Sequence, residues 1–172
     1  MLIEWIRKGR VAWIFESNFV PDRIMGADNV LLFDSEKLKQ VAMKDFDQNL
    51  GTQIRPGDFF VAEKNFGYGR AHAPVNMTLE ALSIGGIIAD SFTHGWYDGA
   101  INNAFPMALQ CADVSKKVDQ WDELEVDFKT GKVTNLTKGE TYQGEGYAPD
   151  EIEMLEAGGV VSLMSKRIRE QS

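Results

Sequence analysis

Cysteine is almost absent from this chain of 172 residues, since Cys111 is the only one. A single cysteine excludes a disulfide within the chain. Long apolar runs are also missing: no stretch approaches the roughly 20 residues needed to span a bilayer. The first residues contain no apolar run typical of a secretory signal. From these absences we expect a soluble protein of the reducing cytoplasm.

Clusters of basic side chains are missing as well. The chain has 18 lysines and arginines against 26 acidic residues, which gives a formal net charge of −8. Nucleic-acid binding needs a basic surface that neutralises phosphates, so we expect no nucleic-acid partner. The length suits one folding unit, because chains divide into domains mainly above roughly 250 residues. We therefore predict a single domain over residues 1–172.

The hydrophobic pattern alternates between short apolar runs and helical periods, which is typical of an α/β fold. Apolar or alternating runs predict strands at residues 10–15, 29–33, 58–62, 86–90, 106–111, 123–128, 133–136 and 141–143. Apolar side chains three to four apart predict helices at residues 35–46 and 74–83, with Ser35 as the first cap, and a further helix is predicted at residues 94–103. Two more helices are expected between residues 149 and 169, and the last three strands indicate an antiparallel β appendage.

One loop has the composition of an anion-binding turn. Directly after the predicted strand at residues 58–62, the chain reads NFGYGRAHAP over residues 65–74. Gly67 and Gly69 allow a tight turn and a close approach of the backbone to a ligand. The amides at the start of the following helix attract anions. Arg70 adds a planar guanidinium that matches a carboxylate with two hydrogen bonds.

The same loop lacks the residues that nucleotide-binding loops need. It has neither the third glycine of a dinucleotide fingerprint nor the Gly-Lys-Ser/Thr of a triphosphate loop, so nucleotide binding is disfavoured. A strand-to-helix turn that requires positive φ also accounts for two glycines without any ligand. The loop contains no serine, cysteine or carboxylate to carry out chemistry on a bound anion.

Four motifs stand in order along the chain: KNFGYGRAHAP, GGIIADSF, AINNAFP and LEAGGVV. They resemble the small subunit of 3-isopropylmalate dehydratase, over about residues 9–166. The resemblance implies the aconitase swivel fold, a layered β/β/α domain, here with an antiparallel appendage and terminal helices. It also implies a partner, a large subunit that carries a [4Fe–4S] cluster on three cysteines. The lone Cys111 cannot hold such a cluster, so we expect no cofactor or metal on this chain itself.

The resemblance is incomplete at the loop. The family usually reads Asn-Phe-Gly-x-Gly-Ser-Ser-Arg-Glu-His-Ala-Pro, and its first serine is the proton-abstracting base. Here both serines are absent, Arg70 aligns with the family's arginine, Ala71 replaces the glutamate, and His72 and Pro74 are retained. The resemblance therefore implies a divergent small subunit whose substrate is a 2-hydroxy di- or tricarboxylic acid other than isopropylmalate.

Two side chains are catalytic candidates in place of the missing serine. Histidine suits proton transfer at neutral pH, which favours His72, with the alternative of a helix-entry histidine bonded to backbone. Tyr68 either donates a proton or packs on a neighbour. The candidates for substrate binding are Arg70, Gly67, Gly69, Asn65, Arg23 and Asp22. A structural ion pair is the alternative for Arg70, and a solvated loop charge for Arg23.

The sequence thus predicts the small subunit of a heteromeric iron–sulfur hydro-lyase, a dehydratase or isomerase similar to 3-isopropylmalate dehydratase. Such a subunit is active only with its large partner. Two other interpretations stay open. Either the subunit is catalytically silent because the loop serines are gone, or the chain is a stand-alone module that binds small carboxylates.

Overall fold

One seven-stranded sheet, in the order β4-β3-β2-β1-β5-β6-β7, organises residues 2–171, which this computed structural model describes. The strands are β1 (Ile6–Phe15), β2 (Phe59–Ala62), β3 (Gly86–Ala89), β4 (Ala108–Gln110), β5 (Glu123–Asp127), β6 (Lys132–Asn135) and β7 (Glu140–Gln143). The helices are α1 (Ser35–Val41), α2 (Leu50–Gln53), α3 (Ala73–Ala81), α4 (His94–Asn103), α5 (Val114–Lys117), α6 (Pro149–Glu156) and α7 (Val160–Glu170), with short 3-10 turns at Pro21–Ile24 and Ala27–Asn29. Among the described helices, none is both long and apolar enough to cross a bilayer.

The central strand β1 joins a parallel half of the sheet to an antiparallel half. Strands β1 to β4 run parallel to one another. On its other edge β1 pairs antiparallel with β5, and β6 and β7 follow by antiparallel pairing. The expected α/β fold is confirmed, and the predicted antiparallel appendage is a continuation of the same sheet through β1.

The parallel and antiparallel halves of the sheet differ in how much of each strand is buried. Every residue of β2 and β3 is buried, as is typical of parallel strands that are covered on both faces. Phe60 and Ile87 point into one apolar cluster, which α1 and α3 cover. Phe59 and Ile88 belong to a second cluster, which includes side chains of α5 and α6. In β5 and β6 buried residues alternate with more exposed ones, so this half has one face towards solvent.

The sequence predicted most helices and strands, but it also predicted one strand that does not form and the wrong N-cap residue for α1. Helix α4 has the predicted bounds, and the other predicted helices overlap observed ones. The strand predicted at residues 29–33 is wrong: Leu31 and Phe33 lie in a loop, 84% and 61% exposed. A short apolar run does not by itself distinguish a buried strand from an exposed loop. The cap of α1 is Asp34 and not Ser35, because the Asp34 carboxylate accepts the Lys37 amide at 3.1 Å.

Candidate functional site

The loop with two glycines lies at the carboxyl end of the parallel strands. Phe15, Ala62 and Ala89 are register partners across β1, β2 and β3, so the three strands end level with one another. The loops that follow these strands therefore begin at one edge of the sheet. In open α/β sheets ligands bind at this edge, outside the carboxyl ends of the strands.

Backbone hydrogen bonds tie these three loops together. The Phe19 carbonyl, in the loop after β1, accepts the amides of Gly67 at 3.1 Å and Tyr68 at 3.0 Å. The Phe66 carbonyl, in the loop after β2, accepts the amide of Thr93 at 2.9 Å. The start of the glycine loop, residues 66–68, is thus held from both sides by the neighbouring loops.

Four rings pack beneath the loop and form what we call the aromatic cluster: Phe19, Phe66, Phe92 and Trp96. The Phe66 ring stacks on Phe19 with centroids 5.7 Å apart and meets Trp96 edge-on at 4.8 Å. Trp96 in turn stacks on Phe92 at 5.2 Å. Because Phe19, Phe66 and Phe92 belong to three different loops and Trp96 to α4, the cluster joins these three loops to α4.

Gly67 occupies a position that no other residue fits. Its φ is +95°, a conformation that side chains with a Cβ rarely adopt. A Cβ at this position would lie 2.3 Å from the Cβ of Trp96, which is a clash with a rigid part of that side chain. The Thr93 hydroxyl donates to the Gly67 carbonyl at 3.0 Å and fixes the peptide plane. The glycine is required by packing, whatever the loop binds.

An open cleft of about 840 Å³ lies between the glycine loop and two helices. Helix α3 contributes Ala73, Asn76 and Glu80, which are three to four residues apart and share one face. Helix α4 contributes Gly95 and Gly99, and a Cβ at either position would meet nothing within 4 Å. The other lining residues are Gly67, Gly69, Ala71, His72, Thr93, Trp96, Ala100, Asn103, Phe105 and Pro106.

His72 and Asp22 form a bonded pair at this cleft, although they are 50 residues apart in sequence. One Asp22 carboxylate oxygen accepts the His72 backbone amide at 2.9 Å, and the other lies 2.6 Å from the imidazole Nδ1. The Asp22 side chain is only 10% exposed, whereas that of His72 is 44% exposed and lines the cleft. His72 also stands at the N-cap position of α3, so the helix start fixes its backbone.

Arg70 and Tyr68 extend into solvent next to the cleft. Both are exposed, and within residues 2–171 neither side chain has a hydrogen-bond or ion-pair partner. The backbone amides of Gly69, Arg70 and Ala71 also donate to no acceptor in the described part of the chain. Gly69 and Ala71 line the cleft, whereas the Arg70 side chain lies outside its lining. Three consecutive free amides and a free guanidinium are the donors that a carboxylate needs.

Besides Asp22, two more of the predicted binding residues have side chains that are bonded within the protein. The Asn65 side chain donates to the Asn18 carboxamide oxygen at 3.0 Å, and the Asn65 backbone has a left-handed φ of +60°. The Arg23 guanidinium is paired with Glu16 and lies 5.2 Å from the centroid of the Phe19 ring. These contacts favour roles in shaping the loops over direct contact with a ligand.

Three polar cleft residues on helices were not predicted from the sequence: Asn76, Glu80 and Asn103. All three lie on helices that the sequence did predict, at spacings that bring them to the same side as the glycine loop. The helical period was therefore the available signal. It could not be used, because the side of each helix that faces the loop depends on how α3 and α4 pack.

Residues 2–171 contain no group of three or more histidine, cysteine, aspartate or glutamate side chains placed to hold a metal ion. Cys111 is buried just after β4, and burial raises the pKa of its thiol, which disfavours the thiolate that metals bind. The side chains present here do not fit an iron–sulfur cluster.

No family model matches this chain. It is 39% identical to the isopropylmalate/citramalate isomerase small subunit of Methanocaldococcus jannaschii, over 96% of this chain and 97% of that protein. It is 33% identical to the 2,3-dimethylmalate dehydratase small subunit of Eubacterium barkeri, over 88% of this chain and 92% of that protein. Among solved structures, a 3-isopropylmalate dehydratase from Methanocaldococcus jannaschii superposes with a TM-score of 0.83, at 26% identity and over 96% of this chain and 97% of that one.

Proposed function

This chain belongs to the family of 3-isopropylmalate dehydratase small subunits, and from that membership we propose that its cleft binds a 2-hydroxy di- or tricarboxylic acid. It is the small subunit of a heteromeric hydro-lyase. The relatives are named for isopropylmalate, citramalate and 2,3-dimethylmalate, which are all substituted hydroxy diacids. A stand-alone carboxylate binder is not favoured, because relatives aligned over most of this chain are named as subunits.

The observation that carries the proposal is the free donor group at residues 69–71. A carboxylate accepts from several donors at once, and the Gly69 to Ala71 amides together with the Arg70 guanidinium supply them without breaking any bond inside the protein. Gly67 and Gly69 give the loop its shape, since both have positive φ. Arg70 is therefore our candidate for the substrate carboxylate.

His72 is our candidate for proton transfer. His72 lines the cleft together with Gly69 and Ala71, whose backbone amides are free in the described chain, so a carboxylate bound by these amides would lie in the same cleft as His72. Tyr68 is the second candidate, because its hydroxyl is exposed and has no partner in the described chain. For Asp22, Asn65 and Arg23 we propose supporting roles in place of direct substrate contact, since their side chains are bonded within the protein.

The large subunit completes the site in this proposal. The cleft is open and has a single histidine in its lining, and within residues 2–171 no group of side chains is placed to hold a metal ion, which supports a second chain as the source of the remaining chemistry. We propose that the large subunit carries the [4Fe–4S] cluster and docks over the face formed by residues 67–72. Covering this face would also remove water from around Arg70, which strengthens its bonds to a carboxylate.

Reconstitution tests the proposal. The chain is co-expressed anaerobically with a large subunit from the same source, and dehydration of substituted malates is followed by the absorbance of the unsaturated product. We expect turnover by the pair and none by this chain alone. Turnover by the isolated chain would contradict the need for a partner, and an assembled, cluster-loaded pair that acts on no hydroxy acid would support a silent subunit.

Replacing Arg70 with lysine is expected to reduce kcat/KM by about 30-fold, or about 2 kcal/mol. Lysine keeps the charge but loses the planar pair of donors that a carboxylate engages. The melting temperature should stay unchanged, because the Arg70 side chain has no partner within residues 2–171. Steady-state kinetics of the reconstituted pair and thermal denaturation of the chain measure the two effects.

Arg55→Lys is the matched control, since Arg55 is also exposed but precedes β2 and so lies at the opposite edge of the sheet. Arg55→Lys should leave both kcat/KM and the melting temperature unchanged. A lower melting temperature with normal kcat/KM in Arg70→Lys would instead assign Arg70 to a structural ion pair and remove it from the site.

A further inference from the structure

The Asp22 carboxylate makes two contacts with the same residue, His72. It lies in the 3-10 turn Pro21–Ile24 and is nearly buried. One carboxylate oxygen accepts the His72 backbone amide at 2.9 Å and so ties the 3-10 turn to the residue before α3. The second oxygen is placed 2.6 Å from Nδ1 of the same residue. In the described chain both oxygens of this carboxylate are thus directed at one histidine.

This geometry decides which ring nitrogen carries the proton. An ionised carboxylate accepts hydrogen bonds but cannot donate them, so the nitrogen facing it must be protonated. In a neutral imidazole only one nitrogen carries hydrogen. A proton on Nδ1 therefore leaves Nε2, on the opposite edge of the ring, as the acceptor.

We infer that Asp22 is a positioning residue that holds neutral His72 in the Nδ1–H tautomer, with Nε2 available to accept a proton from a ligand in the cleft. The inference deepens the proposed function, since it rests on the proposed proton transfer by His72. The backbone contact fixes where residue 72 stands, and the Nδ1 contact fixes the rotation and tautomer of its ring. A general base needs both, because an acceptor that is misplaced or protonated cannot take the proton.

The tautomer can be observed directly in the isolated chain, without partner or substrate. The chain has two histidines, His72 and His94, so its imidazole ¹⁵N NMR spectrum contains two sets of signals. Spectra of the uniformly labelled chain are recorded near pH 9, where an ordinary histidine with a pKa of about 6.5 is neutral. His94→Gln assigns the signals. We expect His72 in the Nδ1–H form; an Nε2–H form, or averaging between both forms, would overturn the inference.

Asp22→Asn separates the two contacts of the carboxylate. The asparagine oxygen can still accept the His72 amide, while its NH₂ group faces Nδ1 as a donor and requires that nitrogen to be unprotonated. We expect the His72 signals to switch to the Nε2–H form. Asp28→Asn, at an exposed position in the next turn, should leave them unchanged. Unchanged His72 signals in a folded Asp22→Asn chain would overturn the inference, and the wild-type spectrum decides it if that variant does not fold.

The reconstituted pair then tests the proposed role of His72 separately. If His72 takes the substrate proton, Asp22→Asn lowers kcat by about 10²-fold with little change in KM. A switched tautomer with unchanged kcat would leave the positioning by Asp22 in place and overturn the proton transfer by His72. The NMR measurement therefore tests the positioning of His72 by Asp22, and the kinetic measurement separately tests proton transfer by His72.

Discussion

Replacing His72 with asparagine is expected to lower kcat of the reconstituted pair by about 10³-fold, within the range that general acid–base groups contribute. The asparagine NH₂ group takes the place of Nδ1–H against Asp22, so that contact is kept while Nε2 is lost. Asparagine is also a preferred residue at the N-cap position that His72 occupies in α3. Stopped-flow or steady-state assays with saturating substrate measure the loss, and circular dichroism checks the fold.

Substrate affinity distinguishes a loss of proton transfer from a loss of binding. If His72 acts only on the proton, the variant still binds substrate or a competitive inhibitor with its normal dissociation constant. An unchanged kcat would contradict the assignment and leave the proton to Tyr68, to the large subunit or to bound water. Weaker binding with unchanged kcat would instead make His72 a binding residue.

Replacing Gly67 with alanine is expected to lower the free energy of unfolding by about 3 kcal/mol, combining the strain of a positive φ with overpacking. The strain follows from φ of +95°, and the overpacking from a Cβ placed 2.3 Å from the Trp96 Cβ. For a chain of this size, 3 kcal/mol lowers the melting temperature by about 9 °C. Chemical denaturation of the isolated chain gives the free energy directly.

Substitutions at two further glycines separate the contribution of backbone strain from that of overpacking. Gly69 has φ of +73° but open surroundings, with the nearest atom 3.7 Å from a Cβ, so Gly69→Ala should show the backbone strain alone, about 1–2 kcal/mol. Gly99→Ala lies within α4 with nothing within 4 Å and should stabilise by about 0.5–1 kcal/mol. If Gly67→Ala costs no more than Gly69→Ala, the contact with Trp96 does not constrain the loop.

Elements with strong local signals were predictable from the sequence. The bounds of α4 agree with the predicted helix at residues 94–103, and β2 and β3 are continuous apolar runs, as is typical of strands covered on both faces. The run at residues 29–33 is just as apolar but pairs with no strand in the described chain. Whether a strand forms depends on a neighbour to pair with, and that information is not local.

The residue composition of the candidate site could be recognised in the sequence, but its geometry could not, and the binding role of these residues stays a prediction. The glycines and Arg70 could be found because a loop with free donors has a recognisable residue pattern. Asp22 was predicted as a substrate ligand, yet its carboxylate is bonded to His72 from 50 residues away. Such a pair arises because β1 and β2 are adjacent and parallel, so the loops after them meet. The contact between these two loops cannot be predicted from the residues of either loop alone.

The aromatic cluster has a thermodynamic consequence for assembly. Its rings hold three loops and the start of α4 together before any partner arrives, so these loops have already lost their conformational freedom on folding. Ordering them later would cost about 1–2 kcal/mol for each residue, and association avoids that cost. The two subunits should therefore combine as rigid bodies, and the heat-capacity change measured by titration calorimetry should correspond to the contact surface alone, with no contribution from coupled folding.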